Sequence, residues 1–574
     1  MVEKEDTKMK RKGLLLSLAL IALSSLSSCA NKGLSGEPLP LTEFMQPVEK
    51  GSYFRPNRGE WYSTYRNLRL KGGMGYQNEQ YSEVTHIPTD KDGNPDYDNA
   101  YSYYAVTDVR ALVVPVDFVG YEAEELPKGA EGTREDLRKA VFGEASDTNW
   151  HSLKSYYNKV SYGQCNITGE VTDWFHTNVS PAEFKAGKSF GPNKEYTGVA
   201  GQSAVRGLIR AVQEVYFGKN GQYDLDDFDA NDDGVVDALL LIYSCPAKVD
   251  GSTELYWAFC GDSDAGQVNR FFWASYDTFW ESNYNETTGA YRNWTREEIA
   301  NGTAKIDCHT LIHEFGHVIG APDYYDYDYQ GKNPLGGADM MDYNVGDHNS
   351  LTKGWYGWTM PYIVEKNCSI TINSTTDTGD FIIVPLPGKW YARNDKENKW
   401  DGTLLDQFLM LEFITPTGVN EQEADHAYSK GYPVFYSEPA IRITHVDARI
   451  GMFDYDSNFK GYTIQTTATQ SGMYLRTAAT NTGGLAADTK GTSRASAYKD
   501  DRLITLVSSQ EERRTWQARG ADNGRNIDLF KTGDVLENYK FFGRSGVADV
   551  EFPWKITIGE IVGTEHATIK FSRV

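Results

Sequence analysis

His309-Thr-Leu-Ile-His-Glu-Phe-Gly-His-Val-Ile-Gly-Ala-Pro-Asp323 is the stretch on which the reading of this chain turns. Asp307 is placed to cap a helix and Gly320 to end it. Leu311, Ile312, Phe315, Val318 and Ile319 supply its apolar faces. His313 and His317 stand four residues apart, so both imidazoles leave the helix on one side and can grip one ion. Glu314 adjoins the first of them, where its carboxylate can reach a metal-bound water and take its proton. A catalytic zinc needs a third protein ligand and one open position. A chain that turns at Gly320 brings Asp323 back toward the same point. His309, one turn earlier on the same face, is the alternative ligand, and a core or supporting role is the competing reading of it. Asp326 and Asp328 read as loop carboxylates.

The spacing His-Glu-x-x-His-x-x-Gly-x-x-Asp resembles that of the metzincin zinc peptidases, with Asp where most of them carry His. The other zincin class takes a Glu some twenty residues further on, and no Glu occurs between Phe315 and Val364. Downstream, Gly336-Gly-Ala-Asp-Met-Met-Asp-Tyr343 is similar to the tight turn that carries a Met beneath the zinc in that group. The resemblance makes Met341 the turn methionine and Tyr343 a partner for the transition-state oxyanion.

Working outward, Val109 to Phe118 reads as a buried strand. Helices are predicted from Thr133 to Phe142, from about Asn149 to Val160 and from about Ser203 to Tyr216. Val235 to Tyr243 reads as another buried strand. Alternating strands and helices up to about residue 320 predict an α/β catalytic domain. From about residue 366 short alternating runs take over, at Ser369–Asn373, Phe381–Val384, Phe408–Phe413, Ala440–His445 and Ala567–Phe571. They predict a β-sandwich. The fold class expected is therefore α+β and multidomain. A metzincin-like domain, with a mixed sheet and an active-site helix, spans 105–365, and a β-rich C-terminal region spans 366–574.

The N-terminus reads as an export signal. Lys10-Arg11-Lys12 precedes an apolar run from Gly13 to Leu23, too short to span a bilayer, and Leu26-Ser27-Ser28-Cys29 resembles a bacterial lipobox. Residues 1–28 are thus expected to be a lipoprotein signal peptide with Cys29 lipidated. Residues 29–104 are expected to be a tether and N-terminal segment, with a pro-region as one reading. Ala30 favours the outer membrane or cell surface of a bacterium, with the lipid as the only membrane attachment.

The chain carries a formal charge of -23 over 574 residues. The first 28 residues hold five Lys/Arg and three Asp/Glu, so the remainder stands near -25 (-23 minus +2). Such a chain repels nucleic acid and is no partner for it. Five cysteines remain after Cys29, without a Cys-x-x-Cys pair, which fits neither a disulfide framework nor a thiolate zinc site. A pairing of Cys245 with Cys260 stays open.

Asp229-Ala-Asn231-Asp-Asp233-Gly234-Val-Val-Asp237 sets side-chain oxygens at positions 1, 3, 5 and 9 of a calcium-loop pattern, with Gly at 6. Position 12 is Leu240, so Asp224, Asp226 or Asp227 would have to complete the shell. A plain Asp-Gly turn into a strand is the competing reading.

The chain resembles the immune inhibitor A family of secreted bacterial zinc peptidases over about residues 105 to 360. The resemblance rests on Leu112 to Phe118, Ser155-Tyr-Tyr-Asn-Lys-Val-Ser-Tyr-Gly163, the Asp-rich loop, His313 to Asp323, the Met341 turn and Lys353-Gly-Trp-Tyr-Gly-Trp358. It implies that His313, His317 and Asp323 hold zinc, that Glu314 is the acid/base, and that a structural Ca2+ sits in the Asp-rich loop. The expected activity is endopeptidase cleavage of extracellular or host proteins. The competing class is a surface protein- or glycan-binding lipoprotein on an inactive peptidase scaffold.

Overall fold

The structure is a computed structural model. It describes residues 45–56, 106–230 and, with short interruptions, 234–326, 333–386, 404–485 and 502–574. The expected signal peptide, Cys29 and most of the 29–104 segment lie outside the described residues.

The elements that build the sheets and the site are, in chain order, β1 (Tyr53–Phe54), β2 (Asp108–Asp117), α1 (Gly129–Phe142), α2 (Leu153–Val160), β3 (Asn166–Val171), α3 (Ala204–Phe217), β4 (Ala238–Tyr243), β5 (Phe259–Asp262) and β6 (Arg270–Ser275). They continue with α4 (His309–Val318), α5 (Met340–Tyr343), α6 (Ser350–Trp355), β7 (Tyr362–Val364), β8 (Cys368–Asn373), β9 (Phe381–Pro385) and β10 (Gln407–Ile414). The last are β11 (Ala440–Asp447), β12 (Ile504–Val507), β13 (Val535–Leu536), β14 (Trp554–Val562) and β15 (His566–Arg573).

The first sheet runs β3-β2-β4-β6-β5. β2 pairs in parallel with β3 and β4, and β4 with β6, while β5 lies antiparallel to β6 and forms an edge. Its central strands are continuous apolar runs because both faces are covered. Ala111, Val113, Leu240 and Phe272 point to the side of α1, α2 and α4. Leu112, Val114, Leu241 and Trp273 point to the side of α3.

Two helix starts differ from the sequence reading. α1 begins at Gly129, one turn before Thr133, which is buried inside the helix and does not cap it. α2 begins at Leu153, where Ser152 accepts from the Ser155 N–H and Ser155 answers through its own hydroxyl.

The C-terminal strands form a six-stranded sheet, β1-β7-β9-β10-β11-β12, and a four-stranded sheet, β8-β15-β14-β13. Alternation divides the six-stranded sheet between two cores. Ile382, Leu409, Leu411 and Ile443 meet Ile370, Ile556 and Phe571 of the smaller sheet. Phe381, Ile383, Phe408, Met410 and Val446 face the other way, into the core that holds α4. The core of the helical part is thus continuous past residue 366.

Residues 45–56 dock on this sheet. β1 pairs antiparallel with β7, and the fully buried Arg55 is ion-paired with Asp380 at 3.0 Å. Its guanidinium also donates to the Met360 carbonyl at 3.1 Å and lies over the Tyr362 ring. Among the described residues no helix is long and apolar enough to cross a membrane.

Candidate metal centre

Helix α4 buries Leu311, Ile312, Phe315 and Val318 and turns His313, Glu314 and His317 to its other side. The His309 N–H is held by Asp307 Oδ1 at 3.2 Å. At the other end Gly320 takes φ +112°, a backbone shape that a side chain strains, and the Ala321 N–H closes back on the Gly316 carbonyl at 2.8 Å. This reversal returns Asp323 to the two imidazoles.

His313 Nδ1 donates to the Met340 carbonyl at 2.7 Å and His317 Nδ1 to the Ala321 carbonyl at 2.8 Å. A carbonyl oxygen only accepts, so each Nδ1 carries a proton, and this leaves Nε2 as the atom each ring can turn inward to a metal. Asp323 Oδ1 lies 3.1 Å from both Nε2 atoms. The ligand atoms of the three residues all lie within 4.8 Å of one another. Three acceptors converging in a buried place require a positive charge between them. A zinc ion fits this donor set of two imidazoles and one carboxylate.

With only protons to supply that charge, His317 is pushed up to about 9. Burial opposes its charged form, and the Asp323 carboxylate more than reverses this. Asp323 is held well below the usual carboxylate range, its own burial being outweighed by the two histidines. Burial raises the Glu314 carboxyl against the pull of His317 and His313, and the Cys260 N–H of edge strand β5 donates to it.

Met341 is fully buried beneath the helix. A Cβ at Gly316 would meet Met341 Sδ at 2.5 Å and Tyr157 Oη at 3.2 Å, so the Gly inside the histidine motif makes room for the turn methionine. Asp339 shapes that turn by accepting from the Met341 N–H at 2.8 Å and from the Asn349 N–H at 2.7 Å. Tyr343 ends α5 half-buried, before Asn344 in the left-handed region.

The C-terminal strands and the segments between them hold the turn from behind. Arg442 pairs with Glu412 at 2.8 Å and donates to the Ala338 carbonyl at 3.0 Å. Glu412 in turn accepts from the Ser350 N–H at 2.8 Å. Asn481 donates to the Tyr324 carbonyl at 2.9 Å.

His309 points away from the three ligands. Its ring nitrogens meet Asp307 Oδ2 at 2.7 Å and Glu423 Oε1 at 2.8 Å, and its ring is stacked between Trp150 and Tyr428. Asp326 is ion-paired with Arg502 at 2.8 Å, and Asp328 lies outside the described residues. Nothing local in the sequence signals Glu423, Glu412 or Arg442. Gly316 could have been flagged as a close-approach position.

In the Asp-rich loop, Asp229 and Asp237 are buried. Asp229 Oδ2 accepts from the Gly234 N–H at 2.7 Å, and Asp237 Oδ2 accepts from the N–H groups of Arg110 at 2.9 Å and Ala230 at 3.1 Å. Asn231 and Asp233 lie outside the described residues. Cys165, Cys245, Cys260, Cys308 and Cys368 are free thiols, so Cys245 and Cys260 are not bonded to each other.

Two helix-borne imidazoles, a returning carboxylate and an adjacent half-buried Glu match the constellation expected of a metallopeptidase centre. Residues 131–342 match the family described as immune inhibitor A peptidase M6, catalytic domain, which bears out the resemblance drawn from the motif. The match takes in His313, Glu314, His317, Asp323 and Met341. The pre-pro-metalloprotease PrtV of Vibrio cholerae serotype O1, strains M66-2 and ATCC 39315 / El Tor Inaba N16961, is 25% identical over 197 residues. That similarity covers 32% of this chain and 20% of PrtV, so the chain spans about a fifth of the relative it matches.

Proposed function

We propose that the protein is a zinc-dependent endopeptidase of the metzincin type, exported and tethered by a lipid on Cys29, that cleaves extracellular or host proteins. The observation that carries the reading is the convergence of His313 Nε2, His317 Nε2 and Asp323 Oδ1 beside the Glu314 carboxylate. The sheet order and the antiparallel edge strand β5 next to α4 support it. An extended peptide can pair along the outer side of such an edge strand and add to the sheet over the metal.

The chemistry a zinc ion supplies at such a site is acidification of water, to a pKa of about 7, and polarisation of a carbonyl. Glu314 takes the proton of the attacking water on its carboxylate and passes it to the leaving amine. Its buried setting raises its affinity for that proton, which suits it to hold and return it. Met340 and Ala321 keep the two imidazoles in the tautomer that presents Nε2. The Tyr343 hydroxyl donates to the oxyanion as it forms. Asp229, Asn231, Asp233 and Asp237 hold a structural calcium, and part of the 29–104 segment serves as a pro-region.

The test is zinc content and cleavage of a denatured protein by wild type and by Glu314→Ala. The reading expects about one zinc in both and a loss of at least about 100-fold in rate in the variant. Equal rates would reject the mechanism. Zinc without activity in the wild type would favour a binding role on an inactive scaffold.

A further inference from the structure

Thr310 lies three and four residues before His313 and Glu314, so it shares their helix face one turn nearer the N-terminus. Its hydroxyl donates to Glu281 Oε2 at 2.9 Å. Glu281 follows the short helical turn Tyr276–Trp280 and is half-buried. Among the described residues no Lys or Arg pairs with it, whereas the buried Glu412, Asp326 and Asp380 each have an arginine.

The other side of this corner is aromatic. Tyr343, Tyr428 and Tyr432 pack in one cluster, and the Tyr428 and Tyr432 rings are 4.5 Å apart. The Tyr428 ring stacks at 3.9 Å on His309, the residue before Thr310, so this cluster borders the corner that holds Glu281. Tyr343 and Tyr432 are each half-buried, so part of each side chain reaches solvent.

We propose that Glu281 is a specificity-determining residue, which seats a lysine or arginine side chain of the substrate against Thr310 with the Tyr343 and Tyr432 rings as its wall. This rests on the endopeptidase reading above. A partly desolvated carboxylate with one hydroxyl partner gains more from a cation than a solvated one does. Burial pushes the Glu281 carboxyl up to about 7, with Asp307 adding to this, which is the signature of a charge short of compensation. Lys and Arg also lay an alkyl stem along aromatic surface and favour ring faces. The formal charge of -23 draws basic peptides toward the molecule in addition.

The experiment uses the zinc-loaded full chain and peptides that differ only in having Lys, Gln or Glu at each position flanking the scissile bond. At one position Lys should exceed Glu in kcat/KM by about tenfold or more. Glu281→Gln should bring that ratio to below about twofold, Glu281→Asp should keep part of it, and Glu281→Lys should invert it. A wild type indifferent to charge at every position, or a preference untouched in Glu281→Gln, would overturn the assignment. Binding of the same peptides to Glu314→Ala, read by fluorescence anisotropy, separates the two readings. If the wild type cleaves nothing while Lys peptides still bind more tightly through Glu281, the peptidase reading fails and the Glu281 site stands. If Glu281→Gln leaves the binding order unchanged, the site fails.

Discussion

Glu423→Ala should cost the protein about 3–5 kcal/mol of unfolding free energy at pH 6. Both His309 ring nitrogens face carboxylates, at 2.7 Å and 2.8 Å, so both donate and the buried ring is an imidazolium. The other Glu423 oxygen accepts from the Gly346 N–H, in the loop that follows the Met341 turn. Removing the side chain deletes a charge-assisted hydrogen bond, about 1.5–3 kcal/mol, and strands a buried N–H, about 1–3 kcal/mol. The sum, about 2.5–6 kcal/mol, is centred on the range of about 3–5 kcal/mol measured when one partner of a buried ion pair is removed.

The pH dependence has a definite sign. Burial lowers His309, but Asp307 and Glu423 outweigh it and push it up to about 10. A histidine whose folded pKa lies above its ordinary 6.5 contributes its full stabilisation below that value and loses it as pH rises through about 10. The gap between wild type and variant should therefore shrink from pH 6 to pH 10.5. Urea unfolding followed by tryptophan fluorescence measures it, with Trp150 stacked at 4.2 Å on His309 as a local reporter. A gap below about 1 kcal/mol at pH 6, no more than an average point mutation costs, would refute the reasoning, and so would a gap that widens toward pH 10.5.

Gly316→Ala should destabilise by about 1–3 kcal/mol through its clash with Met341 Sδ, and a double-mutant cycle with Met341→Ala should return part of that loss. Arg442→Ala leaves Glu412 buried without its cation and the Ala338 carbonyl without a donor, so it should cost about 3–5 kcal/mol in urea unfolding and loosen the Met341 turn beneath the candidate metal site. Calcium should raise the melting midpoint in a saturable way, and Asp237→Ala should abolish that rise; a midpoint independent of calcium would remove the second metal site.

Much of the architecture was readable because two different periods run through the chain. The runs at 109–118 and 235–243 are apolar on both faces, and both became central strands, although the second starts at Ala238 after the Asp-Gly turn. Alternation at 369–373, 408–413 and 440–445 located strands to within a residue or two at either end. The candidate metal triad was legible because it is local, with all three residues inside one helix and the turn after it. What escaped depends on distance along the chain. Glu423 lies 114 residues from His309, and Arg442 lies 104 residues from Ala338. No periodicity reports such partners. Thr133 misled for a related reason: its hydroxyl suits a cap, but the packing of α1 on the sheet draws the helix back to Gly129 and buries it. Edge strand β5 was missed because Phe259–Asp262 is short and contains Gly261.

The docking of residues 45–56 bears on how the molecule responds to being cut. Arg55 and Asp380 are both about 1% exposed and neutralise each other, so neither can be parted from the other without stranding a charge in the interior. A protease acting between Arg55 and Val106 would therefore yield a nicked species whose leading fragment stays in place, lost only on denaturation. Maturation of this chain by such a cut would separate a covalent link from a physical one, and gel mobility alone would misreport what had been released.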